Sequence, residues 1–479
     1  MSAAVLHLWR SCRDLARAEE LSHSQALELV QAAAAAGQWS RLRRWLPPLL
    51  RHGVNPGERQ GSAIALAAWL REQRRLLEAM VCLEAVDWRH CDADAWLLRG
   101  VIEHGLGRTT EAQLSLARAL ALPQLQANAA YHLGELHRSL GQFDQAAGWF
   151  LASLAADPGH RFSHNSLQFT DFSRSLLPRL IADYEQIVAR QPNQPLPHYL
   201  LAHYQLQAGQ TDAAMARSRI ASRLGLGERA SLLLPAGSEA PFPEFVIAGT
   251  AKAGTTALLG CLALHPQLWC HPRKELHFFD TFHGLGEAWY RAQFPAFDAA
   301  AGIRRGEATP SYFGHPAAPE RLAALMPQAR VIVLFRDPIA RAISWVQHLQ
   351  RLVGLRHEVE TVLRQELTRL EALTPQELAL LEPLGSGALQ HSCYDQALAR
   401  WRQHLGEQQL LLINSERLFG DPEPELARVL AFLEVEPAAL QSVLQAWKPL
   451  NVNPAATAEI SPELRQDLSQ FFKRHNQGL

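Results

Sequence analysis

A glycine-rich loop between a buried strand and a helix constrains this chain more than any other stretch. The run Phe245–Leu259 reads FVIAGTAKAGTTALL, with four apolar residues, two glycines and the start of a helix. The spacing of Gly249 and Gly254 is that of a nucleotide-binding P-loop, in which backbone N–H groups and a helix N-terminus converge on a phosphate. A P-loop carries Lys after its second glycine, but here two threonines stand there and Lys252 lies inside the loop. The segment therefore predicts a phosphate site flanked by a lysine.

A second strand is predicted at Ala329–Phe335, and Arg336-Asp337-Pro338 follows it directly. Asp337 is suited to cap the next helix, with Pro338 in the first helical position. Arg336 then lies at the carboxyl end of a strand, the edge at which parallel α/β sheets bind ligands. A guanidinium group there, with the Ser344 hydroxyl eight residues later, suits a phosphate monoester. Two phosphate sites on two strand ends predict a P-loop-type α/β domain with a central parallel sheet.

These two segments resemble those of the sulfotransferases that use 3′-phosphoadenosine 5′-phosphosulfate. In that family a Lys, a Gly and paired Thr residues hold the 5′-phosphosulfate, and an Arg and a Ser hold the 3′-phosphate. The resemblance implies that the nucleotide is bound by these residues: Lys252, Ala253, Gly254, Thr255, Thr256, Arg336 and Ser344. Lys252 would also stabilise the leaving phosphate, and no metal would be required.

The segment His271–Asp280, HPRKELHFFD, resembles the acceptor-side segment of the heparan sulfate sulfotransferases, and the similarity continues through Glu307–Phe313. The resemblance implies that Glu275 is the catalytic base, because an acceptor hydroxyl or amine must lose its proton. His277 would lie on the same side of the chain if the segment is extended. The implied acceptor is a carbohydrate or glycoconjugate, and four residues are expected to bind it: Arg273, Lys274, Asp280 and Glu307. The alternative is that Glu275 is a solvated carboxylate beside two cations.

Two departures from the heparan sulfate enzymes affect the acceptor side and the nucleotide site. Those enzymes carry a lysine after the glutamate of an E-x-T-P segment, and here Ala308 occupies that place. They also have a Lys-Gly loop near the C-terminus that contacts the nucleotide, and this chain has no clear counterpart. Lys448-Pro449 or the tail Phe471–Leu479 are the candidate replacements. The exact sugar and the choice between O- and N-sulfation stay open.

Two other functions remain compatible with the glycine-rich loop. A P-loop kinase or NTPase would need Lys after the second glycine and a Mg²⁺-binding acidic residue at a strand end. The strand ends here carry Gly249 and Arg336 instead. The alternative without catalysis is a repeat scaffold that binds nucleotide, and the presence of both Lys252 and Glu275 argues against it. A transfer assay separates these functions.

The N-terminal half predicts a tetratricopeptide-like α-solenoid. Gly107, Gly141 and Gly209 are separated by 34 residues and by twice 34, the period of that repeat. Ala127–His160 resembles the repeat well, whereas Phe162–Pro192 is degenerate. We predict five or six stacked helical hairpins, which would bind a partner or an extended acceptor, mediate self-association or only support the enzyme.

Composition and length limit the organisation and the partners. A chain of 479 residues exceeds one ordinary core, and we predict helical repeats over 1–224, a linker over 225–243 and a sulfotransferase domain over 244–479. With a formal net charge of -1, the protein as a whole is not attracted electrostatically to nucleic acid. Six cysteines without a CxxC pair favour a reducing compartment. Because the sequence has no run of about 18 apolar residues, we expect no membrane span and a cytoplasmic protein.

Overall fold

The structure is a computed structural model that describes residues 56–352, 357–373, 377, 387–445, 447 and 460–477. Its packing divides the chain into two compact units, Met1–Thr170 and Asp171–Leu479. The described part of the first unit is helical: α1 Pro56–Glu72, α2 Leu76–Leu83, α3 Ala93–Gly105, α4 Thr109–Leu120, α5 Gln126–Ser139, α6 Phe143–Ala156 and α7 Arg161–Gln168.

Short turns pair these helices as the glycine period predicts. Three residues join α1 to α2, α3 to α4, and α5 to α6. Gly107 and Gly141 occupy the last two turns with φ of +73° each, a left-handed conformation that glycine adopts without steric cost. Within the pair α5 and α6, a Cβ added at Gly134 would lie 2.4 Å from the ring of Phe150. The close approach of the two helices therefore depends on a glycine, and the predicted helical repeat is confirmed.

The second unit begins with three further helices: α8 Leu177–Arg190, α9 Pro195–Gln207 and α10 Thr211–Ala221. Gly209 lies in the turn between α9 and α10 with φ of +80°. The degenerate part of the repeat pattern contains the short α7 and a 3₁₀ turn, Arg174–Leu176, before α8. These three helices share a compact unit with the sheet that follows, and the domain boundary at 225–243 stays a prediction.

The sheet has five parallel strands in the order β2-β3-β1-β4-β5. The strands are β1 Phe245–Gly249, β2 Leu268–Cys270, β3 Arg304–Ala308, β4 Arg330–Phe335 and β5 Leu410–Asn414. In β1, Val246 pairs with Glu307 of β3 on one side and with Val331 of β4 on the other. The sheet therefore places the carboxyl ends of β1, β3 and β4 side by side, which is the ligand-binding edge of a parallel sheet.

Helices cover both faces of the sheet, so its middle strand, β1, is buried and apolar throughout. Val246 belongs to an apolar cluster on one face, and its neighbour Ile247 belongs to the cluster on the other. The described helices are α11 Thr255–Leu262, α12 Glu287–Arg291, α13 Ala318–Leu325, α14 Pro338–Leu352, α15 Val359–Glu371, α16 Tyr394–His404, α17 Ser415–Gly420, α18 Pro422–Phe432, α19 Leu440–Gln445 and α20 Pro462–His475. The predicted α/β architecture is confirmed.

Candidate active site

The loop Thr250–Gly254 joins β1 to α11 and is fastened by three neighbouring elements. The N–H and the hydroxyl of Thr250 both donate to Leu334 O of β4, at 2.8 and 3.0 Å. The hydroxyl of Ser415, the first residue of α17, donates to a loop carbonyl at 2.5 Å. Arg341 of α14 donates to another loop carbonyl at 3.5 Å. We call this segment the donor loop.

Two residues of the donor loop have a left-handed backbone. Lys252 has φ of +73° and Gly254 has φ of +101°. A Cβ added at Gly254 would lie 2.7 Å from the ring of Phe419, so both conformation and space require glycine there. Thr255 and Thr256 form the start of α11, where backbone N–H groups have no partner inside the helix and the helix dipole favours an anion. The predicted phosphate-binding groups are therefore assembled around one helix N-terminus.

The second predicted phosphate-binding segment contacts the donor loop. Arg336 follows β4, and its Nη1 donates to Lys252 O at 3.1 Å. Asp337 Oδ1 accepts a backbone N–H of α14 at 2.7 Å, and Pro338 is the first residue of that helix, which confirms the predicted cap. Ser344 lies in the second turn of α14 and is half-buried. The structure thus brings Arg336 next to Lys252 and places Ser344 on the adjoining helix.

The segment His271–Asp280 carries the predicted base and is called the catalytic segment below. An extended segment was the condition under which His277 would lie on the same side as Glu275. The segment is not extended, because Glu275 and His277 have φ of +67° and +58°. Left-handed backbone in residues other than glycine costs on the order of 1–3 kcal/mol each and persists only where surrounding contacts hold it. One such contact is the Glu275 N–H, which donates to Ala308 O at the end of β3 at 2.9 Å.

The side chains of the catalytic segment nevertheless meet as predicted. His277 Nε2 lies 3.6 Å from Glu275 Oε2, and its Nδ1 lies 3.0 Å from Asp280 Oδ2. Burial lowers the pKa of His277, but the two carboxylates outweigh it and raise that pKa to about 9. Burial raises the pKa of Glu275 and of Asp280, but His277, with Lys274 for Glu275, lowers each to about 2. At neutral pH the arrangement is an imidazolium between two carboxylates.

Lys274 joins the donor loop side of the site to the acceptor side. Its Nζ donates to Thr256 Oγ1 at 2.9 Å and lies 3.5 Å from Glu275 Oε1. Burial lowers the pKa of Lys274, and the Glu275 carboxylate opposes that effect. The family resemblance implies only an acceptor-binding role for Lys274, so its bond to Thr256 on the nucleotide side is a finding of the structure.

Two residues predicted to bind the acceptor lie beneath the site. Arg273 is 4% exposed and Glu307 is 0% exposed. Glu307 accepts hydrogen bonds from Thr309 Oγ1 at 2.6 Å and from Tyr312 OH at 2.9 Å, and burial raises its pKa to about 7. Burial likewise lowers the pKa of Arg273 to about 10. Because both side chains are buried, they are better placed to support the catalytic segment than to contact an acceptor directly.

Two residues at the site, Ser311 and Arg341, have no role that the sequence implies. Ser311 Oγ donates to Asp280 Oδ2 at 2.6 Å and lies 3.3 Å from His277 Nδ1. Arg341 is 0% exposed and, besides its bond to the donor loop, donates to Ser392 Oγ at 2.5 Å. The sequence signal for Arg341 is an arginine among the apolar residues of α14. Ser311 lies inside a segment already recognised, but nothing in the sequence sets it apart.

The candidate replacements for the C-terminal nucleotide loop stay predictions. Lys448-Pro449 lies outside the described residues. In the tail, Phe471 and Phe472 are buried in a cluster with apolar residues of α14 and α15, so they are core residues.

Across the described ranges, no group of three or more His, Cys, Asp or Glu side chains is placed to hold a metal ion.

Comparison with known proteins supports both halves of this description. Residues 242–478 match the sulfotransferase domain family, and residues 127–160 match the tetratricopeptide repeat. The chain is 37% identical over 205 residues to heparan sulfate glucosamine 3-O-sulfotransferase 3A1 of Homo sapiens, covering 42% of this chain and 47% of that protein. It is 31% identical over 202 residues to bifunctional heparan sulfate N-deacetylase/N-sulfotransferase 3 of Homo sapiens, covering 41% and 22%.

A solved sulfotransferase structure from Alicyclobacillus acidocaldarius is also similar, with 26% identity and a TM-score of 0.39, covering 49% of this chain and 93% of that one. The chain spans about half the length of the heparan sulfate 3-O-sulfotransferases that it matches.

Proposed function

We propose that this protein, whose C-terminal half is a sulfotransferase domain, transfers a sulfuryl group from 3′-phosphoadenosine 5′-phosphosulfate to a hydroxyl or amine of a saccharide chain or glycoconjugate. One observation carries the proposal: Lys274 contacts Thr256 of the nucleotide side at 2.9 Å and Glu275 of the acceptor side at 3.5 Å. The ammonium group of Lys274 therefore contacts both the predicted nucleotide site and the predicted acceptor site. The similarity to heparan sulfate sulfotransferases supports a carbohydrate acceptor.

The donor loop fits a phosphosulfate group in charge and in hydrogen-bond donors. Thr255 and Thr256, at the N-terminus of α11, would hold its phosphate. Lys252 would neutralise the charge that develops on the leaving phosphate, since a cation placed there in advance stabilises the transition state. Arg336 and Ser344 would hold the 3′-phosphate, because a guanidinium group can bind two phosphate oxygens at once.

Glu275 would take the proton of the acceptor as a new S–O bond, or S–N bond for an amine, forms and the S–O bond to the leaving phosphate breaks. Sulfuryl transfer resembles phosphoryl transfer in depending on in-line positioning and charge neutralisation. His277 and Asp280 would orient the Glu275 carboxylate. Because the contacts with His277 and Lys274 keep the pKa of Glu275 at about 2, the carboxylate would gain basicity if an acceptor group replaced part of those contacts.

The test is transfer of ³⁵S from the labelled nucleotide to a panel of saccharides and simple phenols, with and without EDTA. We expect transfer to a saccharide that EDTA does not affect, because Lys252 and the helix N-terminus supply the charge that Mg²⁺ supplies in a kinase. Mg²⁺-dependent transfer or release of phosphate from ATP would favour the kinase or NTPase alternative. Binding of adenosine 3′,5′-bisphosphate without transfer to any acceptor would favour the scaffold alternative. A strong preference for phenols would overturn the acceptor class.

The helices of the first unit are proposed to bind a protein partner or a second copy of the chain. The tetratricopeptide match at residues 127–160 supports a role in protein interaction. Across the described helices, none is both long and apolar enough to cross a membrane. A cytoplasmic location stays a prediction.

A further inference from the structure

The helix α9, Pro195–Gln207, belongs to the helical repeats by sequence but packs against the catalytic segment, His271–Asp280. The Tyr199 hydroxyl donates to Gln293 O at 2.7 Å. The Tyr199 ring centroid lies 4.2 Å from that of His271, and both side chains are buried, at 1% exposure each. One helix of the repeats therefore covers the beginning of the segment that carries the proposed base.

An electrostatic coupling accompanies this contact one turn later on α9. His203 and Tyr204 are both buried, and both interact electrostatically with Arg273. Arg273 also interacts with Glu275, and its backbone O lies 2.7 Å from His271 Nδ1. Arg273 is therefore coupled electrostatically both to α9 and to Glu275.

The catalytic segment needs support from outside because its conformation is strained at Glu275 and His277, with φ of +67° and +58°. The sheet holds its backbone at two points, since Gly306 O accepts the His271 N–H and Ala308 O accepts the Glu275 N–H, each at 2.9 Å. The helix α9 adds a contact on the side chain of His271, through the ring of Tyr199.

We propose that α9 is a positioning element of the active site, which holds the catalytic segment in the conformation that presents Glu275 to the acceptor. The last helical repeat, which consists of α9 and α10, is then part of the enzyme and not a separate binding module. The expected effect of α9 on the transfer rate rests on the proposed sulfotransferase function. Its expected effect on the conformation of the catalytic segment does not.

The test compares Tyr199→Leu with Tyr199→Phe in the full chain. Tyr199→Leu removes the ring over His271, and Tyr199→Phe keeps it. We expect Tyr199→Leu to lower kcat at least about tenfold, because small displacements of a catalytic group reduce rates strongly. The Kd for adenosine 3′,5′-bisphosphate should stay within about twofold, and Tyr199→Phe should retain most of kcat. Phe150→Leu, which truncates a ring that is 0% exposed in α6 of the first unit, is the matched control and should lower stability without lowering kcat.

Hydrogen exchange gives a second measurement that does not depend on turnover. Tyr199→Leu should increase the exchange rate of amides 271–281 about tenfold and leave amides 250–256 unchanged, because local opening follows the loss of local contacts. Unchanged exchange at 271–281 would overturn the role of α9. So would an unchanged kcat in Tyr199→Leu when the wild type transfers sulfate. Raised exchange at 271–281 in a protein whose wild type transfers nothing would support the positioning contact and reject the sulfotransferase proposal.

Discussion

The pH dependence of transfer distinguishes which member of the pair Glu275 and His277 takes the acceptor proton. In the free enzyme the pKa of Glu275 is about 2 and that of His277 is about 9. If Glu275 is the base, it is ionised throughout the neutral range. The logarithm of kcat/KM, which reports the free enzyme, should then be level between about pH 5 and 8 and fall above about pH 9 as His277 loses its proton.

A different profile follows if His277 is the base, because only its neutral form could then accept a proton. With a pKa of about 9, the neutral fraction at pH 7 is about 1%, and it rises tenfold per pH unit. The logarithm of kcat/KM would therefore increase with unit slope from about pH 6 to about pH 9.

The Glu275→Gln variant adds a magnitude to this comparison. Glutamine keeps the size of the side chain but cannot accept the proton, and a general base contributes about 10²–10⁴-fold in rate, which is about 3–5 kcal/mol of barrier. The same change removes one of the two carboxylates beside His277, so the pKa of His277 should fall from about 9. Asp280 Oδ2, at 3.0 Å from Nδ1, should keep that pKa above its ordinary value of 6.5.

The assay measures initial rates of ³⁵S transfer from about pH 5 to 10 and the titration of His277 by NMR. Glu228→Gln is the matched control, because it removes the same charge from an exposed position. A level profile, with Glu275→Gln at least about a hundredfold slower than Glu228→Gln, supports Glu275 as the base. A unit slope that continues to about pH 9, or equal rates for the two variants, would refute the reasoning.

Three further changes test the nucleotide side. Arg336→Ala should weaken binding of adenosine 3′,5′-bisphosphate about tenfold to a hundredfold and leave AMP binding unchanged in calorimetry, because one charge-assisted bond contributes about 1.5–3 kcal/mol; equal losses for both ligands would contradict it. Gly254→Ala should weaken nucleotide binding at least about tenfold, since φ is +101° and the new Cβ would lie 2.7 Å from Phe419; wild-type affinity would show that the loop adapts. Lys274→Met should reduce kcat by at least about tenfold, because Lys274 contacts both the nucleotide site and the acceptor site; a change in acceptor KM alone would confine Lys274 to acceptor binding.

The nucleotide side could be predicted from sequence because its geometry follows from regular elements. Parallel strands end at one edge, so the residues after β1 and after β4 had to be neighbours. The contact of Arg336 with the carbonyl of Lys252 at 3.1 Å is the direct result. The cap formed by Asp337 and the left-handed Gly254 follow from local rules in the same way.

For the acceptor side, the sequence predicts which residues belong to the site but not how their side chains are arranged. Its segment is neither strand nor helix, so no periodicity determines which side chains converge. Arg273 and Lys274 are adjacent cations in the sequence, yet Arg273 is buried and interacts with Tyr204 of α9, whereas Lys274 reaches Thr256. Their different directions depend on packing against elements distant in sequence, which a local pattern does not encode.

The departure at Ala308 acquires a physical meaning from these contacts. The Ala308 side chain is 1% exposed and lies in the apolar cluster that contains Ile247, so β3 presents no cation at this edge through that position. In the proposed reaction, charge on the transferring group would still have to be neutralised between donor and acceptor. Lys274 provides a cation there from the neighbouring segment, and its bond to Thr256 at 2.9 Å ties it to the nucleotide side. Because the catalytic segment is supported by α9, the position of that cation depends in turn on the last helical repeat.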